Sequence, residues 1–147
     1  MLGLLSHDVK IVSAITAFAG AAGTTTINSS VIDMGGFSAV CFIVSFGPIT
    51  AGAVTSIKAQ QDTTSAFGAP ADLAGSNQTI LDTDDDKVFF IDIRDPSKDF
   101  VRLVVSRATQ PATCSAIAIC YRPRVFPTTH GAGVAGETFV RPAEGSP

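Results

Sequence analysis

The sequence predicts an all-β protein: an antiparallel β-sandwich, jelly-roll-like, with extended arms at both ends. Three observations carry this. Of 13 acidic residues only Glu137 and Glu144 are glutamate, and aspartate favours turns and caps where glutamate favours helix interiors. Thirteen glycines and 8 prolines punctuate stretches rich in Val, Ile and Thr, as between short strands. Several segments alternate apolar and polar residues with period two, and none repeats convincingly at the helical period.

Residues 1–7 are short and apolar, with Leu2, Leu4 and Leu5. They are too few for a helix of their own and read as an N-terminal arm that docks on something. Residues 8–124 are expected to form the sandwich domain. Asp8 to Thr16 reads as its first strand, with Val9, Ile11 and Ser13 on one side and Lys10 and Val12 on the other. Ala17 to Gly23 is a small-residue, flexible stretch, Thr24 to Asp33 a second strand, and Met34-Gly35-Gly36 a turn. Phe37 to Phe46 is nonpolar on both faces, as suits a central strand buried on both sides or packed on a partner. Gly47-Pro48 is expected to end it.

Ala53 to Gln61 alternates, with Val54, Ser56, Lys58 and Gln60 opposite Thr55, Ile57, Ala59 and Gln61. Asp62 to Gln78 reads as a loop, and Asp82-Thr83-Asp84-Asp85-Asp86 as an acidic turn. Lys87–Asp95 and Asp99–Arg107 flank Asp95-Pro96-Ser97-Lys98, a compact turn that predicts a hairpin. Its stripes are Phe89, Ile91, Ile93 and Val101, Leu103, Val105. Thr113 to Tyr121 would complete a three-stranded meander, with Ile117, Ile119 and Tyr121 opposite Cys114, Ala116, Ala118 and Cys120. Residues 125–147 lose the alternation. Phe126, Phe139 and Val140 stand among Gly and Pro, too sparse to build a local core, so the segment reads as an extended C-terminal arm that orders on a neighbour.

Composition narrows the function. A chain of 147 residues is one domain and buries roughly 68–70% of its unfolded surface, enough to need no disulfide or metal. Charged residues make up 16% where ~25% is usual, so much of the surface is neutral. The net charge is −3 and the basic residues are scattered, which argues against nucleic-acid binding through phosphates. Cys114 and Cys120 lie six residues apart on one strand. At ~3.3 Å per residue that is ~20 Å, too far to bond. With Cys41 they read as reduced core thiols. The uncharged stretches Ile11–Ile32 and Met34–Ile57 are interrupted by Thr, Ser and Asn or by Gly47-Pro48 and Gly52, so no membrane span is expected. Asp8 and Lys10 likewise interrupt any leader pattern.

The motifs with chemistry are weak. Gly131-Ala132-Gly133-Val134-Ala135-Gly136 fits the dinucleotide fingerprint, but too little chain follows for the helix and acid it needs. Asp82, Asp84 and Asp86 have the spacing of the first calcium-loop ligands, yet Lys87 and Ile93 stand where Gly and Glu are required. They form a weak metal candidate, with a solvated turn the better reading. His7 and His130 join no nucleophile or metal motif. No catalytic residue, no cofactor and no enzymatic activity are expected.

The segments Phe37-Ser38-Ala39-Val40-Cys41-Phe42-Ile43-Val44, Ser56-Ile57-Lys58-Ala59-Gln60-Gln61-Asp62, Ala71-Asp72-Leu73-Ala74-Gly75-Ser76 and Phe100-Val101-Arg102-Leu103-Val104-Val105 follow in an order that resembles the tailed-bacteriophage capsid decoration, or cement, proteins. The resemblance covers residues 9 to 122. Where that family usually has an aromatic–Arg pair on the second hairpin strand, this chain has Phe100-Val101-Arg102. The resemblance implies a structural virion protein, made in the host cytoplasm and bound to the capsid surface. Its partners would be the major capsid protein and further copies of itself, a trimer being favoured at threefold positions and a dimer the alternative. Leu2, Leu4, Leu5, Phe126, Phe139 and Val140 are the expected partner contacts. A head–tail neck or tail component is the alternative reading. A sugar-binding jelly-roll module is a third, weakened by the lack of Trp and the single Tyr.

Overall fold

Period-two alternation gives each long strand one apolar stripe, and two sheets facing each other bury all the stripes at once. The computed structural model describes residues 3–19, 22–140 and 143–145. After one helical turn, α1 (Leu5–Asp8), come β1 (Lys10–Ala19), β2 (Ile27–Asn28), β3 (Ile32–Asp33), β4 (Phe37–Ile49) and β5 (Val54–Asp62). Then follow β6 (Ala71–Asp72), β7 (Gln78–Thr79), β8 (Val88–Arg94), β9 (Phe100–Arg107) and β10 (Ala112–Pro123). The first sheet has the order β1-β10-β4-β8. In the second, β9 and β5 are the long strands, with β2 and β3 on β9 and β6 and β7 on β5. All pairings are antiparallel. The protein is an all-β sandwich.

The core lies between the sheets. Val40, Phe42, Val44 and Phe46 of β4 meet Ile57 and Ala59 of β5 and Val101, Leu103 and Val105 of β9. The small stripe of β10 (Cys114, Ala116, Ala118, Cys120) leaves room for the phenylalanines of its neighbour β4. The Phe46 and Phe89 rings meet edge to face, with centroids 5.9 Å apart. Burying a side chain of this size stabilises the fold by about 1.5–3 kcal/mol. β4 is central, as its two nonpolar faces predict, and the three cysteines are free.

The expected hairpin is corrected. β8 pairs with β4 in the first sheet and β9 with β5 in the second. Asp95 takes a left-handed φ of 49° and donates its N–H to the Ser38 carbonyl at 2.7 Å. That holds the end of β8 on β4 while the chain crosses to the other sheet. The two stripes therefore face each other across the core instead of lying side by side. The meander fails for the same reason, since β10 returns to the first sheet between β1 and β4.

Smaller differences have local causes. β4 runs through Gly47-Pro48 to Ile49, because a register shift opposite Ala112 and Cys114 absorbs the extra residue as a bulge. β1 extends to Ala19 with shifts around Ile15, which turn both Ala14 and Ile15 inward. Gly20 and Ala21, from the expected flexible stretch, lie outside the described residues. A shift between Val54 and Ser56 likewise puts Val54 on the core side with Ile57. The expected second strand is split into β2 and β3 by Ser29. Its N–H donates to the Leu103 carbonyl and its Oγ accepts the Leu103 N–H, both at 2.9 Å. A side chain thus stands in for one rung of the backbone ladder. The N-terminal arm is not wholly extended, since the His7 and Asp8 N–H groups close α1 on the Leu4 carbonyl.

Candidate functional site

The acidic turn is a clasp. Asp82 accepts the Gly52 N–H at 2.8 Å and Asp85 the Ile49 N–H at 2.6 Å, so both hold the turn between β4 and β5. Asp84 accepts the Leu81 N–H at 2.8 Å and pairs with Lys87 Nζ at 2.7 Å. The Lys87 hydrogen bond, then that of Leu81, holds its carboxyl below the usual aspartate range. Asp82, Asp84 and Asp86 do not converge on a common centre. Among the described residues no three His, Cys, Asp or Glu side chains gather as a metal-binding group. The spacing that resembles a calcium loop instead serves backbone donors.

The glycine-rich stretch is irregular chain, with no strand directly before it and, among the described residues, no helix after it. Gly131 is needed there for close approach: a Cβ would lie 3.3 Å from the Ile11 carbonyl oxygen and 3.4 Å from Val12 Cα. Its N–H donates to that carbonyl at 2.9 Å, and the Ile11 N–H donates to His130 Nδ1 at 3.2 Å. Thr128 donates its N–H to the His7 carbonyl at 3.0 Å, and its hydroxyl reaches the carbonyls of His7 and Val9. The Ser6 and Thr138 hydroxyls are 2.6 Å apart. Residues 128–138 thus lie against α1 and the start of β1, at Ser6, His7, Val9 and Ile11.

The expected contact residues divide. Phe139 and Val140 are each 69% exposed, and Leu5 is almost equally so. Leu4 is half-buried, Phe126 is partly covered, and Leu2 lies outside the described residues.

The outer face of the first sheet adds residues that no motif marked. Register places Ser13, Ile117, Ile43 and Phe90 in one row and Ile11, Ile119, Cys41 and Asp92 in the next. Phe90 is 64% exposed, with Val88 beside it at 62%. Tyr121 spans the Ala39 position and donates its hydroxyl to Asp92 Oδ1 at 2.8 Å. That hydrogen bond, followed by burial and the Asp92 charge, raises the tyrosine pKa. Leu5, Val9, Ile119, Tyr121, Pro123 and Phe126 line an apolar groove of about 720 Å³ at the β1–β10 side. The signal was present in the alternation itself: residues opposite a core stripe are normally polar, and Ile117, Ile119, Val88 and Phe90 are not.

The outer face of the second sheet is polar and internally paired. Lys58 and Gln60 each reach Asp72 at 2.8 Å, and Arg102 donates to Gln60 Oε1 at 3.0 and 2.8 Å. The Arg102 guanidinium also lies 4.3 Å from the Phe67 ring centre, within cation–π range.

The thiols are not activated. Burial raises the pKa of Cys41, where the Asp92 charge adds to it, and that of Cys114, and it pushes Cys120 up to about 11. A reactive thiol needs the opposite shift.

No family model matches the chain, and no curated protein is found that matches it.

Proposed function

We propose that this protein is a structural subunit of a tailed-phage particle, a cement protein that attaches to the capsid surface through its C-terminal segment. The observation that carries the reading is the division within that segment. Residues 128–138 are fastened to α1 and the start of β1, while Phe139 and Val140 just beyond them stay 69% exposed on a molecule whose sheets already enclose a core. A fixed stem with apolar residues at its end is the form of an anchor that orders on a partner. The strand order supports a jelly-roll-like reading of the sandwich: four positions β1-β10-β4-β8 face four positions β2/β3-β9-β5-β6/β7, and the chain changes sheet between β1 and β2, β3 and β4, β4 and β5, β7 and β8, β8 and β9, and β9 and β10. Weak anchors suffice where many copies bind one shell.

Quantifying the protein in purified virions tests this. Tens to hundreds of copies per particle, retained on tailless heads, are expected. A handful of copies, or co-purification with isolated tails alone, would replace this reading with the neck or tail component. A chain ending at Thr138 should fold normally and bind heads at least ~10-fold more weakly, about 1.4 kcal/mol.

A further inference from the structure

We propose that the C-terminal segment is held on α1 and β1 by a pH-sensitive latch, and that protonation of His130 opens it. The latch belongs to the chain's own fold, so it stands whether or not the chain attaches to a shell. Both backbone groups of Ile11 are given to this segment. Its N–H donates to His130 Nδ1 at 3.2 Å, and its carbonyl accepts the Gly131 N–H at 2.9 Å. A ring nitrogen that accepts an N–H carries no proton, so His130 is latched as the neutral tautomer with its proton on Nε2. A proton taken up from solvent would bind at Nδ1, the accepting atom. The acceptor then becomes a second donor, facing the Ile11 N–H with nothing to offer it.

Little besides hydrogen bonds holds the segment. None of residues 128–138 is buried, and none belongs to the core between the sheets, so apolar burial contributes little. The other bonds run from Thr128 to the carbonyls of His7 and Val9 and between the Ser6 and Thr138 hydroxyls. None of those groups titrates near neutral pH. The charges around the ring do not replace the lost bond. His7 of α1 and Glu137 of the segment line the same cleft of about 480 Å³ as His130. Lys10 of β1 and Arg124 line the adjoining cleft beside Thr128 and Thr129, and Asp8 of α1 faces the groove towards β10. Acidification therefore sets two imidazolium groups against one carboxylate, with further positive charge next to them. An imidazole in an opened segment takes up a proton at about pH 6.5, whereas the latched ring has no free site for one at Nδ1. The latch is at full strength above that pH and loses up to ~10-fold in its closing equilibrium for each pH unit below it. On the attachment reading, the same step frees the stem that presents Phe139 and Val140.

Amide exchange of the full chain, read by NMR and divided by the rate of an unstructured amide at each pH, tests the proposal. Protection of the Ile11 amide should fall ~10-fold between about pH 7.5 and about pH 5.5, while amides of β10 next to β4 keep theirs. His130→Asn puts an amide oxygen, which does not titrate, where Nδ1 stands, so protection at Ile11 should persist at both pH values. His7→Asn should leave the wild-type fall intact. Protection at Ile11 that is constant with pH, or a parallel fall throughout β10, overturns the proposal. So does a fall that survives His130→Asn or vanishes with His7→Asn. If His130→Asn is unfolded by circular dichroism, or lacks protection at Ile11 already at about pH 7.5, the ring nitrogen shifts of the wild type at that pH decide. A His130 proton on Nε2 alone is expected, and one on Nδ1 overturns the latch.

Discussion

Asp62 shows how much a single carboxylate organises. It is buried at the end of β5, where its Oδ1 accepts the N–H groups of Thr63 and Thr64 and its Oδ2 accepts that of Ala69. The Ala69 bond is the largest influence, and despite burial the carboxyl is held below the usual aspartate range. A carboxylate whose folded pKa lies below its unfolded value of ~3.9 adds stability above that value, and the contribution disappears as pH falls through the folded pKa. Asp62→Asn should therefore lower the urea midpoint more at pH 7 than at about pH 3, where the unfolded chain already binds the proton and the wild-type contribution has begun to shrink. Equal losses at both pH values would assign the effect to packing. Ser29 makes the matching case for a neutral group. Ser29→Ala leaves the fully buried Leu103 N–H without its side-chain acceptor and should cost about 1–3 kcal/mol in denaturant unfolding. A loss below ~0.5 kcal/mol would mean that the ladder closes by itself.

At the level of elements, what alternation could specify was legible and what it could not was missed. The stripes of β8, β9 and β10 face the core as their sequences predict. Which sheet each strand joins was not legible, because period two states which side is apolar and is silent on the partner. Asp95-Pro96-Ser97-Lys98 suits a tight turn, and it serves equally as a crossing once Asp95 adopts its left-handed conformation. The docking of residues 128–138 on α1 and the start of β1 was also hidden, since it depends on backbone groups brought together from opposite ends of the chain. Gly131 tests that docking. A methyl group there would press on the Ile11 carbonyl and on Val12, both within 3.4 Å. Gly131→Ala should loosen the segment and speed exchange of the Ile11 amide by ~10-fold or more, about 1.4 kcal/mol of local opening. Amides of β10 next to β4 should keep their protection. Unchanged exchange at Ile11 would show that the segment shifts without opening.

Over the whole molecule, strand edges are managed more carefully than the outer faces. In the first sheet, β1 is covered at Ile11 by the C-terminal segment and at Ala14 by Ser30, and β8 carries Asp92 and Arg94 and receives the Gln78 side chain on the Phe90 carbonyl at 2.8 Å. In the second, the outermost strands β2, β3, β6 and β7 are two residues each. Short or charged edges resist pairing with foreign strands. The apolar face of the first sheet has no such guard, and the sequence anticipated it only at Phe37 to Phe46, because Phe90 and Ile117 join that face through register. Edges closed to strand addition and a face open to packing favour association by side-chain burial over backbone pairing. The charge inventory points the same way, with a net charge of −3 and 16% charged residues. Ionic contacts between exposed groups weaken as the screening length falls from ~14 Å at 0.05 M salt to ~4 Å at 0.5 M, whereas apolar burial is nearly indifferent to sodium chloride and is strengthened by sulfate. Attachment through Phe139 and Val140 should therefore change by less than ~3-fold between these two sodium chloride concentrations and tighten in sulfate of equal ionic strength. A dissociation constant that rises ~10-fold or more with salt would mean that ionic contacts hold the chain to its partner.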